Sequence, residues 1–489
     1  MMADLAPILA RFAISHESID VQHLVLDSRK IKTGDAFIAI KGHSQDGGLF
    51  VESALANGAA IALVDEQCEC TFASDKIIRV AQLDKKLAQL SAQFYGKPSE
   101  ELALIGVTGT NGKSTITSMI AYLAQVCGSK SAVIGTLGWG HPDKLNALAN
   151  TTPSSVELQA ILGQLHQASH QVVAMEVSSH GLVQGRVACT RFKAAVFSNL
   201  SRDHLDYHGD MQSYADAKLM LFTECNPEIS VINQDDEVAK LWLMQPELMD
   251  AVVYGQGKTT THTGRYVLFD DVQYSGDGLS AQFYTSWGNT EIKCPLYGQF
   301  NLYNLAAAFA TLLALGYSID LLAQAVSKLS PVAGRMQPFS EANKPTCVVD
   351  YAHTPDALAL ALQALQLHVP GKVTCVFGCG GNRDKGKRAL MAQAAERFAN
   401  KIIVTSDNPR NEDPKAIIAD ILAGFNDTTH VLSEEDREQA IKMAIEQAEP
   451  EEVILIAGKG HEDYQLIGTQ VLPFCDRAQV VKYLKGYGQ

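Results

Sequence analysis

Two apolar spacings alternate along most of this chain. Short apolar runs end in glycine-rich or polar turns, and between them apolar residues recur at three- and four-residue intervals. Leu102-Ala103-Leu104-Ile105 reads as a buried strand, and Ile116, Met119, Ile120 and Leu123 as the inner face of the helix that follows. Ala132-Val133-Ile134, Val172 to Val177 and Ala195-Val196-Phe197 continue the series of strands. Such alternation predicts a mostly parallel sheet with helices on its faces. Upstream, Val25 to Arg29 and Ala36 to Ile40 are expected strands of a smaller α/β unit, the second followed by the polar loop Gly42 to Gly48. Gly96-Lys97-Pro98-Ser99 reads as a linker.

The rhythm breaks at 266–298, where Tyr266 to Phe269, Leu279 to Tyr284 and Glu291 to Cys294 are separated by Gly/Asp/Asn turns. An antiparallel addition to the sheet is expected there, followed by an Ala/Leu-rich helix from Asn301 to Leu315. Ser330 to Arg335 closes this region. A further α/β alternation starts near Cys347, with strand starts near Val373, Lys401 and Val453. The fold class is α/β, and 489 residues call for about three domains. The expected boundaries are 1–98, 99–332 and 333–489.

Composition narrows the partners. A net charge of −14 argues against a nucleic-acid backbone as partner, because such binding draws its affinity from basic patches. No apolar run is long enough to span a membrane, and the N-terminal residues lack a basic, then apolar leader. The expected compartment is the cytoplasm. Ten cysteines lie scattered without framework spacing, which fits reduced thiols better than a zinc site.

Gly106 to Thr115 holds the most specific chemistry. Glycines at a strand-to-helix turn aim backbone N–H groups and a helix N-terminus at one point, a cradle for a triphosphate. Lys113 would reach the β/γ-phosphates and the Ser114 hydroxyl would ligate Mg²⁺. The strict P-loop pattern has Gly where Val107 stands, so this is a variant. Glu176 ends a strand of the same sheet, either facing Mg²⁺ beside Ser114 or bonding a loop. Ser198 to His208 follows the next strand with more acids and histidines than a solvated loop needs. Lys218, on an amphipathic helix, reads locally as a surface lysine. Toward the C-terminus, Asp350 to Pro355, the cation-rich Gly378 to Arg388, Ser406 to Arg410 and Ala457 to Asp463 all sit at strand ends. The cationic loop would bind an anionic group or serve as a solvated turn.

Taken together, Gly109-Thr110-Asn111-Gly112-Lys113-Ser114, Glu176 to His180, Asn199 to His204, Asp350 to His353 and Gly381 to Asp384 resemble the Mur ligase family in order and spacing. Residues 24–48 and Asp407-Asn408-Pro409-Arg410 are similar to its diaminopimelate-adding branch. The resemblance implies a UDP-substrate-binding domain, a central ATPase and a C-terminal Rossmann-like domain that brings the amino acid. It implies ATP-dependent addition of meso-2,6-diaminopimelate to the D-glutamyl γ-carboxylate of UDP-N-acetylmuramoyl-L-alanyl-D-glutamate through an acyl phosphate, with Mg²⁺. The expected form is a monomer. ATP would be held by Gly109, Thr110, Asn111, Gly112, Lys113, Ser114, Thr115, Asn301, Asn304, Arg335 and Asp350. Leu26, Ser28, His43, Ser44 and Gln45 would hold the uridine diphosphate, and Asn150, Thr151, Thr152, Ser178, Gln184 and Arg186 the muramoyl-peptide. Ser114, Glu176, His204 and Lys218 become metal-site residues, with Lys218 as a carbamate, which reverses its local reading. Arg383, Asp407, Asn408, Pro409, Arg410, Gly458 and Glu462 would hold diaminopimelate.

Other readings account for less of the chain. Folylpolyglutamate synthases resemble it only from the ATPase region onward. A P-loop kinase or switch NTPase leaves the C-terminal strand-end sets unexplained. A non-catalytic binding protein on the same fold would be expected to lose Lys113 or Glu176, and both are present.

Overall fold

The computed structural model describes residues 3–42, 45–258, 264–369 and 371–486. These form two compact units, one made mainly of residues up to Tyr254 and the other mainly of Val267–Ala306 and the chain from Tyr317 onward.

In the first unit, a parallel sheet runs Ser131–Gly135, Val172–Glu176, Ala103–Thr108, Ala194–Phe197, Ile229–Asn233 and Val252–Gln256. Its strands are apolar almost throughout, as both faces are covered; Leu104, Val173, Ala195 and Ile232 share one core with Leu158, Leu162 and Leu221 from helices. The hairpin Gly138–His141 and Lys144–Asn146 adds antiparallel strands at one edge. The smaller sheet, also parallel, orders Leu24–Val25, Ala36–Ala39, Ile61–Asp65 and Ile77–Val80.

Two local expectations change here. The strand expected over Val25 to Arg29 ends at Val25, and Ser28–Lys30 is a 3₁₀ turn. Asp27 causes the break: its carboxylate accepts from the Arg29 N–H and pairs with the Arg29 guanidinium, a local alternative to the strand ladder. The expected linker at 96–99 is anchored, with Pro98 opening a 3₁₀ turn and buried Ser99 accepting the Arg191 N–H through Oγ at 3.1 Å.

In the second unit, Tyr266–Ser275, Gly278–Thr285 and Gly288–Cys294 form the antiparallel strands expected there, longer than the apolar runs suggest. The C-terminal sheet orders Gln337–Phe339, Thr346–Asp350, Val453–Ala457, Val373–Phe377, Lys401–Val404 and Val431–Ser433, parallel except at the first strand. A hairpin, Tyr464–Ile467 with Gln470–Pro473, follows the Val453–Ala457 strand.

Candidate active sites at the strand ends

Strand Ala103–Thr108 feeds the cradle, and helix Lys113–Val126 leaves it. Val107 stays in the ladder opposite Glu176, so the turn begins later, at Gly109 with φ +146°. A Cβ on Gly109 would overlap Ser198 Oγ, which is why glycine is needed there. Gly112, at φ +87°, sets the helix start. The Lys113 ammonium folds back onto the carbonyls of Gly109 and Thr110 at 2.9 and 2.8 Å.

The loop after Ala194–Phe197 grips the cradle from the other side. Thr110 N–H donates to the Asn199 carbonyl, Asn111 N–H to Asn199 Oδ1, and Ser198 Oγ to the Asn111 carbonyl. Glu176, 2% exposed, ends the neighbouring strand. Its Oε1 accepts from Ser114 Oγ and from Thr136 N–H, each at 2.9 Å, while Thr136 Oγ1 donates to Oε2 at 3.2 Å. Gly135 makes room, since a Cβ there would occupy the carboxylate's place. A hydroxyl and a carboxylate meeting at a phosphate cradle form a hard-oxygen donor set of the kind Mg²⁺ takes.

Lys218 is no surface lysine. It is 1% exposed inside helix Met211–Thr223, with its ammonium 4.3 Å from the centre of the Tyr214 ring. Burial drives its pKa well below the usual lysine value, Lys113 adds to the fall, and Asp203 opposes it. Helical spacing misled because the face taken as outer is the face turned to the cradle. Tyr214 OH lies 3.3 Å from Thr110 Oγ1, and burial raises its pKa to about 12. Three histidines complete the wall: His180 packs edge-on to His204 at 5.0 Å and to His208 at 5.4 Å. Burial and then the charge of His204 lower the pKa values of His180 and His208. His204, at φ +54°, is held beside Asp203, whose Oδ1 accepts its N–H at 2.9 Å.

A second polar line extends from Glu176. Thr136 Oγ1 meets Thr151 Oγ1 at 3.0 Å, and buried Thr152 donates to the Glu176 carbonyl and contacts Ser178. Arg186 donates to the Thr152 carbonyl at 2.7 Å and to Gln184 Oε1 at 2.9 and 2.6 Å. Asn150 is exposed beside them. Leu26, Ser28 and Gln45 belong to the smaller sheet's loops, and His43 and Ser44 lie outside the described residues.

In the second unit, buried Asn301 and Asn304 lie in the first turns of helix Gln299–Ala314. Asn304 Nδ2 donates to Asn301 Oδ1 at 3.1 Å. The Arg335 guanidinium stacks 4.5 Å from the Tyr351 ring centre. Asp350 accepts the N–H groups of Met336 and Ala352, and burial raises its pKa against the pull of Arg335.

The loop after Val373–Phe377 lies on the turn after Lys401–Val404. Gly381 N–H donates to the Asn408 carbonyl at 2.9 Å, and Arg410 Nη1 returns to the Gly381 carbonyl at 2.9 Å. Arg383 and Arg410 flank Gly380. Asp407 and Asn408 are buried, and Asn408 Nδ2 donates to Glu462 Oε2 at 2.9 Å. Gly458, at φ +116°, has a Cβ direction aimed at Asp407 Oδ2. The diaminopimelate candidates Asp407 to Arg410, Arg383, Gly458 and Glu462 therefore surround one place. Sequence reasoning assigned no role to Thr136, Tyr214, Lys459 or Arg437; Gly458-Lys459-Gly460 was the visible signal for one of them.

Three mostly parallel sheets, a glycine-turn cradle and polar sets at successive strand ends define an ATP-type ligase architecture. The family models agree: residues 20–95 match the Mur ligase family catalytic domain, 107–312 the Mur ligase middle domain and 334–460 the Mur ligase glutamate ligase domain. The chain belongs to the Mur ligase family. It is 46% identical over 474 residues to the UDP-N-acetylmuramoyl-L-alanyl-D-glutamate–2,6-diaminopimelate ligase of Haemophilus influenzae strain PittEE, covering 96% of this chain and 97% of that protein. A solved structure of a ligase with the same name is similar over 100% of both chains, at 36% identity and a TM-score of 0.70. The fold also matches a MurF ligase from Thermotoga maritima at 19% identity and a TM-score of 0.68, over 95% of this chain and 97% of that one.

Proposed function

We propose that this chain is the ATP-dependent ligase that joins meso-2,6-diaminopimelate to the D-glutamyl γ-carboxylate of UDP-N-acetylmuramoyl-L-alanyl-D-glutamate, in peptidoglycan precursor synthesis. The observation that carries the reading is 46% identity across nearly the full length of both this chain and a ligase of that name. The proposed domains are 1–98 for the UDP substrate, 99–332 for ATP and 333–489 for the amino acid. The working form is a monomer in the cytoplasm; among the described residues, no helix is long and apolar enough to cross a membrane.

In this reaction a γ-carboxylate oxygen attacks the terminal phosphorus of ATP, and ADP leaves. The amine of diaminopimelate then attacks the acyl phosphate carbon, and amide, phosphate and a proton are released. Phosphoryl transfer of this kind depends on positioning and charge neutralisation. Lys113, Gly109 to Asn111, Gly112, Ser114 and Thr115 hold the phosphates. Asn301, Asn304, Arg335 and Asp350 take the rest of the nucleotide. Ser114, Glu176, His204 and carbamylated Lys218 are the residues that would hold Mg²⁺. A bound Mg²⁺ supplies charge neutralisation on the phosphoryl oxygens.

Burial favours the neutral amine of Lys218, the form that adds to CO₂. The new N–C bond gives a carbamate and releases a proton, so a buried neutral amine becomes an anion. Leu26, Ser28, His43, Ser44 and Gln45 hold the uridine diphosphate. Asn150, Thr151, Thr152, Ser178, Gln184 and Arg186 hold the muramoyl-peptide. Arg383, Asp407 to Arg410, Gly458 and Glu462 hold diaminopimelate. The deciding assay is phosphate release from ATP that requires both the UDP-muramoyl-dipeptide and diaminopimelate. Release that ignores either substrate overturns the reading.

A further inference from the structure

We propose that Lys459 is a positioning residue of the amino-acid site, holding Asn408 and Glu462 in a single arrangement toward the incoming ammonium group. The proposal rests on the ligase reading above.

Lys459 follows strand Val453–Ala457 and is fully buried. Gly458 and Gly460 flank it at φ +116° and +53°. On one side a Cβ would meet Asp407 Oδ2 at 2.5 Å; on the other it would meet the Gly334 carbonyl oxygen at 2.6 Å and Tyr351 Cβ at 2.7 Å. Backbone this closely confined fixes where the lysine side chain leaves the chain.

The ammonium donates to Glu462 Oε2 at 2.9 Å and to Asn408 Oδ1 at 3.2 Å, with the Tyr464 ring centre 5.5 Å away. Asn408 Oδ1 also accepts the Leu466 N–H at 2.9 Å. Only an acceptor fits between an ammonium and an amide N–H, so the amide oxygen must face Lys459 and the NH₂ must face Glu462. Glu462 Oε2 thus receives both Lys459 Nζ and Asn408 Nδ2, leaving Oε1 with no protein donor among the described residues. The carboxylate keeps one oxygen for a substrate ammonium, and Lys459 sets its orientation through the other.

Charge points the same way. Buried Asp407 and partly exposed Glu462 are two neighbouring carboxylates, and both Arg437 and Lys459 pull the Asp407 pKa down against the rise from burial. Arg437 is already committed to Asp476 by two hydrogen bonds of 2.8 Å, both groups fully buried. Lys459 is therefore the cation that balances Glu462. Without it, Glu462 would lose its cationic partner, and the Asn408 amide would be held by the Leu466 N–H and Glu462 alone.

The test measures phosphate release from ATP with the UDP-muramoyl-dipeptide and a panel of amino acids, for wild type, Lys459→Met, Glu462→Gln and the double variant. Which amino acid the wild type uses tests the ligase reading; the change in KM for that amino acid tests Lys459, whichever it is. Lys459→Met is expected to raise that KM roughly 30-fold or more, with the KM for ATP unchanged and kcat at saturating amino acid largely retained. In the Glu462→Gln background the same substitution should cost much less, because its partner charge is gone. Lys459→Gln, which keeps a donor and loses the charge, carries the same readouts if the Met variant folds poorly. An unchanged amino-acid KM, a parallel rise in the KM for ATP, additive losses in the double variant, or failure of both Lys459 variants to fold would each overturn the proposal.

Discussion

Ser114 Oγ donates to Glu176 Oε1 across 2.9 Å, joining the first turn of the cradle helix to the end of the neighbouring strand. Thr136 holds the same carboxylate through its N–H and its hydroxyl, so Glu176 has one position before any substrate arrives. Glu176→Gln keeps the size but removes the charge and turns one of the two accepting oxygens into a donor. It should lower kcat by roughly 100-fold or more, and raise the Mg²⁺ concentration needed for half-maximal rate. Mg²⁺ titration of phosphate release checks this. A variant with the wild-type Mg²⁺ requirement removes Glu176 from the metal site.

Lys113→Ala should abolish ligase turnover, since its ammonium sits on the Gly109 and Thr110 carbonyls at the point where the phosphates are expected. Binding of the UDP substrate, followed by calorimetry, should persist. Near-normal turnover would defeat the ATP-site assignment.

Lys218 separates stability from activity. A lysine whose pKa is depressed in the folded state binds a proton more readily when unfolded, so it costs stability below the ordinary lysine pKa, and the cost fades as pH rises through that value. In bicarbonate-free buffer at neutral pH, Lys218→Met should melt at a higher temperature than wild type and yet lack activity. Short-chain carboxylic acids should restore part of the activity of Lys218→Ala by filling the vacated anionic position. A Lys218→Met variant that is active would refute the carbamate role.

The cradle and many of the strands were legible because each carries a local signal: apolar runs of strand length, Gly109 and Gly112 at turns, and Lys113-Ser114 at a helix start. What escaped was non-local. Thr136 stands far from Glu176 in the chain and has no distinguishing neighbours, so its double contact shows only once the strands are side by side. Lys218 has ordinary amphipathic spacing, and its burial follows from what faces the helix. Asp27 broke an expected strand by bonding its own neighbour, a competition that apolar patterning does not register.

His461 makes stability fall on the acid side. Burial first, then Arg335 and Arg477, push its pKa from 6.5 down to about 4. Between those values the unfolded chain binds a proton that the folded chain does not, so stability rises with pH across this window and is lost as pH falls from 6.5 toward 4. The loss amounts to roughly 2 kcal/mol once partial exposure is allowed for. His461→Phe keeps the ring beside Tyr351 and cannot titrate. Denaturant unfolding at pH 7 and pH 4.5 should show a smaller difference for this variant than for wild type, and equal differences would exclude His461 as the source.

On the proposed reading, Arg410 would carry the choice between meso-diaminopimelate and lysine. The two amino acids differ by one carboxylate at the far end, and a planar guanidinium can take that carboxylate with two parallel hydrogen bonds. Arg410 adopts φ +52° in a turn held on both sides: its N–H donates to the Leu466 carbonyl at 3.0 Å and its carbonyl accepts the Gly468 N–H at 2.6 Å. Among the described residues, only Nη1 is committed to the protein, on the Gly381 and Asn408 carbonyls, so the guanidinium is aimed without being saturated. Asp407 and Glu462 lie beyond Asn408 and, on the proposed reading, would take the ammonium that both amino acids share. Losing a bidentate charge pair in a closed site costs about 2–5 kcal/mol. Arg410→Ala should therefore weaken the use of diaminopimelate by orders of magnitude, leave lysine as poor a substrate as before, and hardly alter the KM for ATP. Comparing kcat/KM for the two amino acids in wild type and variant checks this. A wild-type enzyme that joins lysine as readily as diaminopimelate would refute the specificity and leave the ligase chemistry standing.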